Sequence, residues 1–254
     1  MTRTRPHAFE GGSRLEGRRV LVTGASSGIG DGIVRACAAH GARVAALARR
    51  TDRLASLAED SGCHPVTADL RTPQGARDGV ESAAQALGGL DAVVNNAGVM
   101  HIEPVMEGTP ERWREMFDVN VLALLAVTQT AVGHLRTSGG GDIVNVSSLS
   151  GRRVPSARSG TYSGTKFAVH AISEGMRQEF HEEGIRVTVI SPGMVATTEK
   201  DGPLDDHWRA RAADLRSESS ITPAHIGSAV AFALSQPAEL TLREIAVAPT
   251  IQAT

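Results

Sequence analysis

Seven short apolar runs recur along the chain: Arg19–Val22, Arg43–Leu47, Pro65–Ala68, Asp91–Val94, Ile143–Val146, Ile185–Ile190 and Ile245–Val247. Most are rich in β-branched residues and lack the strict alternation of a half-solvated strand, a pattern that predicts strands buried on both faces. Between them lie alanine-rich stretches of helical character at 29–40, 52–60, 74–87, 110–136, 162–183 and 223–235. The last opens on Thr222-Pro223, an N-cap followed by proline in the first turn. Strand and helix alternate from end to end, which predicts an α/β fold: a doubly wound, mostly parallel seven-stranded sheet with helices on both faces. No linker, repeat or low-complexity block interrupts the alternation. Residues 15–254 therefore read as one domain, and 1–14 as a mobile tail.

Composition narrows the function classes. A chain of 254 residues that is 41% hydrophobic can bury one large core. A net charge of -2, with no arginine run longer than two, argues against a nucleic-acid binder. Cys37 and Cys63 form neither a C-x-x-C nor a zinc spacing. None of the nine histidines forms a spaced ligand pair, and His101, His134, His170 and His207 read as surface or satisfied residues. No metal site is expected. No apolar run approaches the roughly 18 residues of a membrane helix, and the Arg- and Gly-rich start lacks the apolar core of a secretory signal. The expected compartment is the cytoplasm, with no membrane and no nucleic acid as partner.

The first strand runs directly into Thr23-Gly24-Ala25-Ser26-Ser27-Gly28-Ile29-Gly30, and a helix follows. Glycines at 24, 28 and 30 allow a tight turn and close approach of a pyrophosphate to the helix N-terminus, the arrangement of a Rossmann-type dinucleotide site. The spacing T-G-x-x-x-G-x-G differs from the common G-x-G-x-x-G.

Tyr162 is the only tyrosine, and Lys166, four positions later, is one of two lysines. On a helix the two side chains share a face. A fixed positive charge beside a phenol favours phenolate and lowers its pKa from about 10. Such a phenol can give a proton to a carbonyl oxygen or take one from an alcohol.

These segments, with Asn95-Asn96-Ala97-Gly98, Asn120, Ser148, Pro192-Gly193 and Thr197, appear in an order that resembles the short-chain dehydrogenase/reductase family over nearly the whole chain from Leu15. The resemblance implies a catalytic set of Asn120, Ser148, Tyr162 and Lys166. It selects Ser148 over Ser147 and Ser150 because the family's serine stands three residues before a glycine, here Gly151. Ser148 precedes Tyr162 by 14 positions, one more than in many members, which suggests a longer loop at 152–160. Asn120 would bend its helix and hold a water beside Lys166, and Lys166 would hold the nicotinamide ribose.

For the cofactor, the resemblance implies contacts from Gly24, Ser26, Ser27, Gly28, Ile29 and Gly30 on the first turn. Further along, Asp69 and Leu70, then Asn96, Ala97 and Gly98, would flank the adenosine. Asp69 could equally cap its own loop, and Asn95 could serve a purely structural turn. Pro192, Gly193, Val195 and Thr197 would meet the nicotinamide end, together with Tyr162 and Lys166. Where NAD-preferring members carry a carboxylate at the end of the second strand, this chain has Ala48 followed by Arg49 and Arg50. Guanidinium groups suit a 2′-phosphate, so the expected cofactor is NADP(H).

The implied activity is reduction of a small ketone or aldehyde, or oxidation of an alcohol. A cofactor-binding sensor or scaffold without turnover is the rival reading. A sugar-nucleotide epimerase would have a longer C-terminal region and a T-G-x-x-G-x-x-G turn, and this chain has neither. Residues 194–221, including Leu204, His207, Trp208 and Leu215, are expected to form a substrate lid. The ending Arg243–Thr250 resembles a subgroup with clavulanate-pathway aldehyde reductases and serine or 3-hydroxy acid dehydrogenases. Helices 110–136 and 162–183 are apolar around much of their circumference, which predicts a homodimer or homotetramer paired through them.

Overall fold

The computed structural model describes residues 15–197 and 220–252. The predicted tail, and the expected lid residues Leu204, His207, Trp208 and Leu215, lie outside the described residues. Seven strands are present: β1 (Arg19–Thr23), β2 (Arg43–Ala48), β3 (His64–Thr67), β4 (Ala92–Asn95), β5 (Gly141–Val146), β6 (Ile185–Pro192) and β7 (Glu244–Val247). They form one sheet in the order β3-β2-β1-β4-β5-β6-β7. Every strand pair is parallel, beyond the mostly parallel sheet expected.

Among the described residues, seven α-helices flank the sheet: α1 (Gly28–Ala39), α2 (Thr51–Ser61), α3 (Pro73–Leu87), α4 (Pro110–Phe117), α5 (Ala123–Thr137), α6 (Gly160–Phe180) and α7 (Pro223–Leu234). Three begin with Thr-Pro. The Thr72 hydroxyl accepts from the Gly75 amide at 3.0 Å, and Thr222 and His225 form a reciprocal capping box. A threonine cap satisfies an orphan amide while proline presets the first turn.

Strand periodicity sorts the core into two layers. Val20 and Val22 pack on one face with Ile33, Val34, Ile226 and Val230, while Leu21 between them joins Leu87, Val127, Leu135 and Val169 on the other. Both layers are fully formed, as a doubly wound sheet requires.

The long helix predicted at 110–136 is interrupted. A π-helical turn at Asp118–Leu122 separates α4 from α5 and contains buried Asn120. Among the described residues, Pro110–Thr137 is the one helical stretch long and apolar enough to cross a membrane, its most apolar 18-residue window having a mean hydropathy of 1.4. Half of it is buried, and Leu124, Val127, Ala131 and Leu135 pack into the second layer of the core.

Candidate active site

The sheet order changes direction between β1 and β4, and the cleft lies at the C-terminal ends of these strands, where a parallel sheet receives its ligands. It encloses about 270 Å³. Its lining includes Gly24, Ser26, Ser27, Gly28, Ile29 and Gly30 after β1, Ala48, Arg49 and Arg50 at the end of β2, and Asp69 and Leu70 after β3. Asn96, Ala97, Gly98 and Thr197 complete the predicted residues in it. Pro192, Gly193, Val195, Tyr162 and Lys166 stand outside this lining: Pro192 ends β6, the Gly193 amide donates to the Val247 carbonyl, Val195 pairs with Ile221, and Tyr162 and Lys166 lie on α6.

Backbone geometry makes the turn. Gly24 and Gly28 adopt φ of 65° and 55°, which other residues rarely reach. A Cβ on Gly24 would lie 2.7 Å from the Ala97 Cα, and one on Gly30 would lie 2.6 Å from the Asn96 Nδ2. Thr23 secures this contact, its hydroxyl accepting from the Asn96 and Ala97 amides at 3.0 and 3.1 Å. Only glycine leaves the concavity open, so these residues fit a phosphate cradle.

The arginines differ in posture. Arg50 is laid along the turn, donating to the Ser26 hydroxyl at 2.9 and 3.1 Å and to the Ser27 hydroxyl at 2.5 Å. Arg49 is exposed on the lining. Asp69 is engaged by its neighbour: the Arg71 guanidinium and backbone amide both donate to it, which holds the carboxyl below its ordinary value. This is the loop-capping alternative for Asp69, and it leaves the carboxylate facing the cleft.

The four predicted catalytic residues come together from three elements. Asn120 clamps the loop that follows β4: its Oδ1 accepts from the Val99 amide at 2.8 Å, and its Nδ2 donates to the Val99 carbonyl at 2.9 Å and to the Thr165 hydroxyl at 3.0 Å. Gly98 joins the two halves of the site, since a Cβ there would sit 3.3 Å from Asn120 Oδ1 and 3.8 Å from Lys166 Nζ. β5 ends at Val146, and the serines follow it. Ser147 turns inward and donates to the Lys166 carbonyl at 3.2 Å. Ser148 caps a 3-10 turn at Leu149–Gly151, its hydroxyl accepting from the Ser150 amide at 3.0 Å, and it also hydrogen-bonds the Tyr162 phenol.

Tyr162 and Lys166 lie on one face of α6, the ammonium 5.8 Å from the ring centroid. The lysine was expected to lower the phenol pKa, and the structure corrects this. Burial pushes Tyr162 up to about 12, with Ser148 opposing. Tyr162 as a residue is only half-buried, so the enclosure is that of its hydroxyl end. Lys166, 5% exposed, donates a hydrogen bond to the Val146 carbonyl at 3.0 Å, and burial draws its pKa down to about 8. Loss of water is the largest effect on the phenol, and the ammonium is turned toward the Val146 carbonyl.

Arg71, Val99, Glu115 and Val119 also line the cleft and were not foreseen. Glu115 pairs with buried His101 at 2.8 Å. A His-to-Glu separation of 14 positions across a loop and a helix has no signature in sequence. His134 pairs with Glu81 at 3.2 Å, and His207 is outside the described residues.

Comparison with known proteins adds the family. Residues 18–207 match the short chain dehydrogenase family. The human Dehydrogenase/reductase SDR family member 11 is 35% identical, over 97% of this chain and 100% of its own length. Among solved structures, a short chain dehydrogenase from Burkholderia cenocepacia in complex with NADP is 31% identical, covering 92% of this chain and 98% of that one with a TM-score of 0.80. L-sorbose reductase from Gluconobacter frateurii, complexed with NADPH and L-sorbose, is 29% identical over 94% and 98% of the chains, with a TM-score of 0.82. Serine dehydrogenase from Escherichia coli is 27% identical over 92% and 99%, with a TM-score of 0.79. A glycine cradle at the crossover of a parallel sheet, with Ser148, Tyr162 and Lys166 beside it, thus sits in a chain that belongs to the short-chain dehydrogenase/reductase family.

Proposed function

We propose that this protein is an NADPH-dependent carbonyl reductase, acting on a small ketone or aldehyde or, in reverse, on an alcohol, with Tyr162 as general acid and base. The observation that carries the reading is the contact of Ser148 with the Tyr162 phenol beside the glycine cradle, with Lys166 buried one turn on. Bound nicotinamide would supply or accept the hydride. Ser148 orients the substrate oxygen and stabilises its developing charge. Tyr162 keeps its proton across neutral pH and delivers it to that oxygen. The Lys166 ammonium, charged below about pH 8, offsets the phenolate that remains. Arg49, with Arg50 and Ser26 behind it, receives the 2′-phosphate, and no carboxylate at Ala48 repels it.

Val195 is bridged to Ile221, at the two ends of the expected substrate lid 194–221, whose residues 198–219 lie outside the described residues. The chain works as a homodimer or homotetramer. Leu122 and Phe167 keep 55% and 44% of their surface exposed on the helices expected to pair. Two buried free thiols, Cys37 and Cys63, suit the cytoplasm.

Cofactor consumption across a panel of aldehydes, ketones and hydroxy acids tests the activity, and parallel titration with NADPH and NADH tests the cofactor. NADPH oxidation with at least one carbonyl class, and tighter binding of NADPH, are expected. A clear NADH preference, or no oxidation with any carbonyl, would sink the reading.

A further inference from the structure

The back of the Ser148 turn is held by side chains from three other places in the fold. Glu244, the first residue of β7, accepts from the Ser191 hydroxyl of β6 at 2.7 Å and pairs with Arg152, just past the turn. His170 of α6, one helical turn beyond Lys166, sits among them. Its Nε2 lies 3.4 Å from the Ser191 hydroxyl and its Nδ1 4.0 Å from the Glu244 carboxylate. The ring also hydrogen-bonds the Ser148 carbonyl, which accepts from the Gly151 amide at 2.9 Å as well. Gly151 lies directly on the ring: a Cβ there would come 2.5 Å from His170 Cδ2 and 2.7 Å from Nε2. The imidazole therefore touches both ends of the turn that presents Ser148.

Its partners all ask for a proton. Ser191 has given its own to Glu244, and a carbonyl and a carboxylate can only accept. An apolar side chain of similar size could fill this position behind Gly151, but it could not bond the Ser148 carbonyl.

We propose that His170 is a positioning residue for Ser148: seated by Ser191 and Glu244, its ring fixes the 148–151 turn and, through it, the hydroxyl that meets Tyr162. The inference rests on the roles given above to Ser148 and Tyr162. The groups facing the ring are Glu244 from β7, Arg152 beyond the turn, Lys166 on its own helix, and the uncharged Ser191 and Ser148 carbonyl. Burial lowers the His170 pKa below 6.5, Glu244 opposes this, and Arg152 and Lys166 add to it. The ring is neutral at pH 7. On acidification it gains a second N–H, which draws the Glu244 carboxylate toward it and loads the turn.

Because Tyr162 is the only tyrosine, one labelled phenolic carbon reports its hydrogen bonding by NMR in the free protein, without substrate or cofactor. Ser148→Ala sets the position of a phenol without its partner. His170→Gln, folded by circular dichroism, should move the resonance most of the way to that position. The wild-type resonance should also show an inflection below pH 6.5 that His170→Gln lacks. A folded His170→Gln with the wild-type resonance and the wild-type inflection overturns the proposal alone. A resonance that does not move in Ser148→Ala overturns the Ser148–Tyr162 pairing and the proposal together. If His170→Gln does not fold, Glu244→Gln decides the matter: it keeps the ring and removes the charge that raises its pKa, so the inflection must shift to lower pH. An inflection left in place refutes the role.

Discussion

Lys166 is the residue whose burial costs most in this site. Its pKa falls from 10.5 to about 8, so the folded state binds this proton less tightly than the unfolded chain does. Stability therefore rises as pH climbs from about 8 toward 10.5, and the cost is fully present below about 8. The shift corresponds to about 3 kcal/mol. Lys166→Met should accordingly raise the melting temperature at pH 7 and flatten its rise above pH 8, while losing NADPH affinity and most reductase activity. Thermal melts across that range check it, and a destabilised variant at pH 7 would contradict the cost assigned to the ammonium. In the wild type, carbonyl reduction should fall as pH rises through about 8, because the neutral amine no longer offsets phenolate. A pH–rate profile level to pH 10 would remove Lys166 from that role.

Among the elements, the π-turn at Asp118–Leu122 does the most to shape the site. It turns Asn120 toward Val99 and Thr165, so one side chain joins α4–α5 to the strand end and to α6. Asn120→Ala removes three hydrogen bonds and leaves the Val99 amide and carbonyl unpaired, at a cost of about 2–4 kcal/mol. Faster hydrogen exchange at the Val99 amide, with a lower melting temperature, is the expected outcome; unchanged exchange there would show that the clamp is idle. The strands around this turn were legible in the sequence because burial on both faces leaves unbroken runs such as Ile185–Ile190, and the Thr222-Pro223 cap marked the start of the last helix. The π-turn was not, since Val119, Val121, Leu122 and Leu124 read equally well as continuous helix. Site residues next to a glycine or a strand end, such as Gly24 or Asn96, were legible for the same reason. Glu115, His101 and His170 were not, because their roles arise from contacts between segments well separated in sequence. The balance between burial and charge at Tyr162 also depends on the packed structure, and the sequence pointed to the wrong sign.

On the scale of the whole molecule, the apolar faces left open on α5 and α6 imply that assembly and activity fall together. Leu122→Glu places a charge where the partner helix is expected. It should give smaller species by light scattering and lower activity, whereas a fully active species of single-chain mass in the wild type would refute the coupling. In the proposed function the fold delivers one proton through Tyr162. Tyr162→Phe keeps the ring, its packing and the cradle, and removes only that proton. NADPH titration and steady-state reduction of the best carbonyl in the panel, compared between wild type and Tyr162→Phe, test this most directly. NADPH binding close to wild type, with turnover reduced by about 10²–10⁴-fold, is the expected outcome. Turnover above about a tenth of wild type, with NADPH still bound, would contradict it.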